Sequence, residues 1–458
     1  MATIAGKPYW EMVFDKDGTL TSDTSDAVTS QITASGIDNL FVFSHGWGNQ
    51  QGQAEQLYQQ ILPLIGTASD QRPALADIGF AGIIWPSIWF PDEPGAPTTV
   101  TATGTQSLSA APAGPVNTQA ELTGKQIAAA LAPSFDATLQ AAITEMGRLI
   151  DDGQQSAVDG TASPGQQEQN VAAFHTLLQQ ITTGQVDGVE DAGETSLFDT
   201  ADPVNTYQTL STAMGSAAAG GNQQSLGDVF GTVWNGAKDA LRIASFWEMK
   251  TRAGTVGQAG LGPLLEKLHT TAPALRVHLI GHSFGARLVS FALSGLTTAE
   301  ASPVASLLLI QGAFSHWSFA SQHDMPFGQP GALNGFSDRV HGPLVATFSE
   351  YDWAVGTWYP KASFIAGDYT ESKTGAKWGG MGSDGFQASN PQADIIVTDD
   401  HTQYLIVNNT FHRADCNSVI TNTSQSAFAG AHSDIIHPAI ATLAACAAAP
   451  GPNPGDHH

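Results

Sequence analysis

Positive charge is scarce in this chain of 458 residues: 17 Lys and Arg stand against 42 Asp and Glu, a formal charge of −25. Such a surface repels phosphate backbones and anionic lipid at long range, which argues against nucleic acid as a partner. Charge of either sign is thin, at 13% of residues, while 42% are hydrophobic, so the composition belongs to a folding chain rather than a disordered one. Long apolar runs are missing too, and nothing approaches the roughly 18 to 20 residues of a membrane-spanning helix. Cysteine is limited to Cys416 and Cys446, with no CxxC spacing and no local cluster of histidines; they suit one disulfide as well as two buried thiols. MATIAGKPYWEMVF shows neither a basic leader with an apolar run nor a cleavage site, so a cytoplasmic protein is expected.

What is present is an alternation of strand-like and helix-like segments at both ends of the chain. In the first half, PYWEMVF, a DKDG turn and TLTSD read as a hairpin; LFVFS and IGFAGIIW read as buried strands around a helix through AEQLYQQILPLI. The second half gives strands LRVHLI, SLLLIQGA, GPLVATFS and YLIVNNT, helices GPLLEKLHT and ARLVSFALSGL, and a last helix over 435–449. The expectation is an α/β fold with a mostly parallel eight-stranded sheet over residues 1–94 and 246–449. Between these, residues 95–245 shift to Ala, Gly, Gln, Ser and Thr, with one amphipathic helix, QIAAALAPSFDATLQAAITEMGRLI, broken at Pro133. This largely helical insertion leaves the C-terminal end of a strand, where α/β proteins bind ligands, and is expected to act as a cap or lid. Residues 450–458 read as a disordered tail.

Gly281-His282-Ser283-Phe284-Gly285 is a G-x-S-x-G pentapeptide. In a chain rich in Gly and Ser the letters alone are weak, but they follow an apolar strand and precede a helical pattern, the context of a nucleophile elbow. Side chains at 281 or 285 would clash where strand and helix pack around the serine, and the helix N-terminus favours developing negative charge. A serine hydroxyl needs a base to take its proton and a third group to orient that base. Asp352, just beyond GPLVATFS, is the expected acid, with Glu350 as fallback. His432, in the GAHSDI segment before the last helix, is the expected base, with His437 as the alternative. Backbone N–H groups of Phe284 and of Trp47, in the His45-Gly46-Trp47-Gly48 turn, are the expected oxyanion donors, and His45 is read as a structural hydrogen-bonder.

With HGWG, GHSFG, SEYDWAV and GAHSDI in this order, the chain resembles the α/β-hydrolase superfamily, specifically its serine esterases and lipases. The resemblance spans residues 1–94 and 246–449. It implies a nucleophile at Ser283, a proton shuttle at His432, an orienting carboxylate at Asp352 and an oxyanion hole at Trp47 and Phe284, with no cofactor and no metal. The implied substrate is a small-molecule or lipid ester. Family caps usually enter after the elbow, whereas this insertion precedes it, so the resemblance does not indicate what the insertion selects.

A second signature competes. Val13 to Leu20, VFDKDGTL, looks like the first motif of haloacid-dehalogenase-type phosphatases, in which Asp15 and Asp17 would attack phosphorus and hold magnesium, with Asp399 and Asp400 as a further acidic pair. A hairpin with a D-G turn explains the same letters and is the preferred reading. Aromatic residues cluster near predicted strand ends: Trp85, Trp89 and Phe90, then Phe314, Trp317 and Phe319, then Trp353 and Trp358. Most are expected in the core; Trp85, Trp317 and Trp353 are the candidates for an apolar acyl pocket.

Overall fold

A computed structural model describes residues 2–48, 51–87, 122–182, 199–214, 226–325, 328–355, 379–400, 403–425 and 430–450. Nine strands form one sheet: β1 (Ala2–Ile4), β2 (Lys7–Val13), β3 (Asn39–Ser44), β4 (Ile78–Ile84), β5 (Arg276–His282), β6 (Val304–Ile310), β7 (Leu344–Phe348), β8 (Gln392–Ile396) and β9 (Phe411–Asp415). Their spatial order is β1-β2-β4-β3-β5-β6-β7-β9-β8, and every pairing is parallel except β1 with β2. The expected mostly parallel α/β sheet is therefore present, with nine strands in place of eight.

The central strands are buried along their whole length, as a sheet covered on both faces requires. Their alternate residues feed two separate cores. Leu40, Val42, Val277, Leu279, Leu307 and Leu309 point to one, beneath helices α1 (Ser25–Ala34), α8 (Gly262–Thr271) and α9 (Phe284–Ser294). Phe41, Phe43, Ile280, Leu308 and Ile310 point to the other, beneath α2 (Gln51–Asp70) and α10 (Pro438–Ala448). Both cysteines are buried and free, and burial pushes the Cys416 thiol well up.

The insertion has a core of its own. Helices α3 (Gly124–Leu131), α4 (Gln140–Asp159), α5 (Pro164–Thr182), α6 (Pro203–Met214) and α7 (Leu226–Thr255) surround Ile127, Met146, Phe174, Tyr207 and Trp234. The predicted break at Pro133 appears as a short 3₁₀ turn, Ala132–Ser134, between α3 and α4. Helix α7 crosses the expected boundary at 245, and a π turn, Val256–Leu261, joins it to α8. Among the described residues, no helix is long and apolar enough to cross a membrane.

Four local expectations change. Ala5 and Gly6, both with positive φ, turn the chain from β1 into β2, an Ala-Gly hairpin without the usual Asn-Gly letters. TLTSD is not a strand; only Leu20 bridges, to Phe14. YLIVNNT alternates buried Tyr404 and Ile406 with exposed Leu405 as a strand would, yet it forms no ladder. The ring of His412 takes up the Val407 backbone instead, and the ladder strand is the following β9. The last helix starts at Pro438, not 435, because a proline holds the preceding His437 extended.

Candidate active site

The parallel sheet delivers β3, β5, β6 and β7 to one rim, and four turns meet there. Between β5 and α9 the chain reverses at Ser283, whose φ of 58° and ψ of −123° lie outside the region that L-residues favour. Such a conformation costs on the order of 1–3 kcal/mol and persists only where its surroundings enforce it. Here the Ser283 N–H donates to the Ile310 carbonyl, and its own carbonyl accepts from Ala286 and Ala313. The glycines are required sterically. A Cβ on Gly281 would lie 2.3 Å from the Gly285 carbonyl oxygen, and one on Gly285 would lie 2.2 Å from that of Ser44.

Ser283 meets a histidine and a carboxylate. The Ser283 Oγ lies 2.8 Å from Nε2 of His432, and Nδ1 of His432 lies 2.8 Å from Oδ2 of Asp352. All three residues are buried, at 3%, 9% and 1% exposure. An ionised carboxylate only accepts, so the network assigns the ring proton to Nδ1 and leaves Nε2 to accept from the serine hydroxyl. The fallbacks fall elsewhere: Glu350 is exposed, and His437 pairs with Asp434 at 3.0 Å.

Two side chains that the sequence reading missed hold this arrangement. Gln311, at the end of β6 with φ of 47°, is fully buried and donates from Nε2 to Oδ2 of Asp352 at 2.9 Å. Its Oε1 in turn accepts from the Thr347 hydroxyl, while the other Asp352 oxygen accepts from the Val355 N–H. His282 donates from Nε2 to the His432 carbonyl at 2.9 Å. Burial, and then the neighbouring His432 ring, lower its pKa to about 3, so it stays a neutral donor. A polar residue directly after the apolar run 307–310 was the available sign of Gln311; His282 was visible as the second letter of the pentapeptide.

The His45-Gly46-Trp47-Gly48 turn abuts the serine, for a Cβ on Gly46 would lie 2.5 Å from that of Ser283. The Phe284 N–H opens α9 at the same point and makes no hydrogen bond among the described residues. That is the orphan donor a helix N-terminus leaves. Trp47, Phe284 and Phe246 of α7 form an aromatic cluster, with Phe246 and Phe284 centroids 4.7 Å apart. Helix α7, which runs out of the insertion, thus reaches the rim. His45 is buried, its pKa lowered to about 4 by that burial, and its carbonyl accepts from the Trp85 indole.

Of the candidate pocket aromatics, Trp85 is 2% exposed and stacks on His45 within the core. Trp317 is half-buried and packs edge-on against His316. Trp353 is 38% exposed and covers Gly430, two residues before His432. Phe314 and Phe319 are core residues; Trp89, Phe90 and Trp358 lie outside the described residues.

Asp15 follows β2 near one edge of the sheet, where its Oδ1 accepts from the N–H groups of Asp17 and Thr19 in a local turn. Asp399 and Asp400 follow β8 at the other edge, seven strand spacings or about 34 Å away. The two acidic pairs that phosphoryl transfer would require do not meet. Comparison with protein-family models, with curated proteins and with solved structures finds no match to this chain.

Proposed function

We propose that this protein is a serine hydrolase of the α/β-hydrolase type that cleaves carboxylic esters through an acyl-enzyme. The observation that carries the reading is the unbroken hydrogen-bond chain from Ser283 through His432 to Asp352, mounted on a strained strand-to-helix turn. Ser283 Oγ attacks the ester carbon while Nε2 of His432 takes its proton. Charge gathers on the carbonyl oxygen, and the Phe284 and Trp47 N–H groups are the proposed donors to it. His432 then passes the proton to the departing alkoxide, leaving an acyl-serine. Water attacks this ester, giving its proton to His432, which returns it to Ser283 as the acid departs. Asp352 holds the imidazole and balances its positive charge without taking the proton.

Beside Phe284, Phe246 of α7, the helix that runs out of the insertion, offers an apolar wall, and Trp353 flanks the histidine loop. These residues support a preference for apolar acyl groups and a capping role for the inserted helices. Labelling with a fluorophosphonate, together with p-nitrophenyl butyrate turnover in the presence of EDTA, tests the reading. Labelling and turnover that both vanish in Ser283→Ala are expected; labelling that survives this change would overturn it.

A further inference from the structure

Strand β5 has two ends, and the one opposite Ser283 borders a cavity of ≈ 750 Å³ among the loops that enter β5, β6 and β7. Seven residues of extended chain separate Arg276 from Ser283, about 23 Å, so this cavity is remote from the triad. Its lining includes Arg72, His269, Arg276 and His341 and, among the described residues, no Asp or Glu. In a chain where acids outnumber Lys and Arg by 42 to 17, a wall with four basic side chains and no carboxylate runs against the bulk composition.

Arg276 is the most telling of the four. Half-buried, it commits Nη2 to the Ala448 carbonyl at 3.0 Å and has no carboxylate partner among the described residues. A guanidinium withdrawn from water without a counter-ion is costly, and burial pulls its pKa down accordingly. The Arg72 guanidinium reaches Cys446 on the same helix, two residues from Ala448, which brings the two arginines to one corner. His269 keeps a buried Nδ1 with no hydrogen-bond partner among the described residues.

We infer that this cavity binds a small ligand bearing an oxyanion, phosphate or carboxylate, with the Arg276 guanidinium as its anchor and Arg72 beside it. A planar guanidinium grips two oxygens of either group at once, which neutralises the stranded charge. The space exceeds a bare phosphate, and Leu275, Pro303 and Ala305 offer apolar surface for the carbon part of the ligand. The inference does not depend on the hydrolase reading.

Isothermal titration of the full chain with inorganic phosphate and with benzoate, against chloride at matched ionic strength, tests it. One saturable site with Kd of about 1 mM is expected for at least one anion. Saturation by phosphate alone identifies a phosphate ligand, and by benzoate alone a carboxylate ligand. Ser283→Ala should bind as before, whereas Arg276→Gln should weaken binding about tenfold. Should Arg276→Gln fail to fold for want of its bond to Ala448, Arg276→Lys keeps a donor and a charge and should still weaken binding about threefold. Absence of saturation with both anions, or unchanged binding in both Arg276 variants, would overturn the inference.

Discussion

Around Ser283 the site is held by steric contact: glycines at 281 and 285 pressed against carbonyl oxygens, Gly46 against the serine itself, and a backbone at positive φ. Around His432 it is held by hydrogen bonds between side chains and loops: Gln311 and the Val355 N–H on Asp352, and His282 on the His432 carbonyl. The first region fails by not folding, because nothing there can shift without moving a strand. The second can lose a bond and remain in place, so its failures should appear in rate before they appear in stability.

Four experiments would break or sharpen that contrast. The largest effect is expected at the base. His432→Ala should lower kcat on p-nitrophenyl butyrate by at least ~10³-fold with an ordinary unfolding midpoint, while His437→Ala should leave the rate nearly unchanged. Next, Gly285→Ala should cost about 3 kcal/mol or more in urea unfolding, since its Cβ meets the Ser44 carbonyl at 2.2 Å; a folded variant with only a rate defect would erase the distinction.

Gln311→Ala removes one hydrogen bond to a buried carboxylate and should reduce kcat about tenfold with KM little changed. Thr347→Val, which unpairs the Gln311 side-chain oxygen and backbone N–H but leaves its bond to Asp352, should cost less, about threefold. The gentlest test is pH. His278 and His282 are lowered to about 3 and His45 to about 4, chiefly by burial, against 6.5 for a free ring. The unfolded chain therefore binds more protons between these values, and stability rises with pH through that window. Urea midpoints should fall on acidification from pH 7 to 5; a flat profile would mean that these rings are not shielded from water.

The steric region was largely legible in the letters, because glycine spacing, an apolar strand and a following helix each constrain the backbone locally. Ser283 is legible from its pentapeptide, Asp352 from the end of the strand GPLVATFS and His432 from its place before the last helix, and the sheet brings such strand ends together whatever the distance in sequence. Gln311 was legible only as a polar residue closing β6: its role depends on β6 lying beside β7, a pairing that no local pattern announces. YLIVNNT misled for a related reason, since alternating burial is shared by strands and by extended chain whose polar groups are satisfied by a side chain. Trp85 was recognisable as an aromatic at a strand end, but its stacking on His45 follows from the neighbouring β3 turn.

Helix α7 has a consequence for how the molecule comes apart. It contributes Trp234 and Leu241 to the inserted core and Met249 and Ala253 to the core under the sheet, and it runs on through the π turn into α8. Melting the insertion would strip half of a rod whose other half underpins β5. The two bodies therefore share one folding cooperativity, and heat should dissolve both in a single calorimetric transition, with no surviving sheet stripped of its helices.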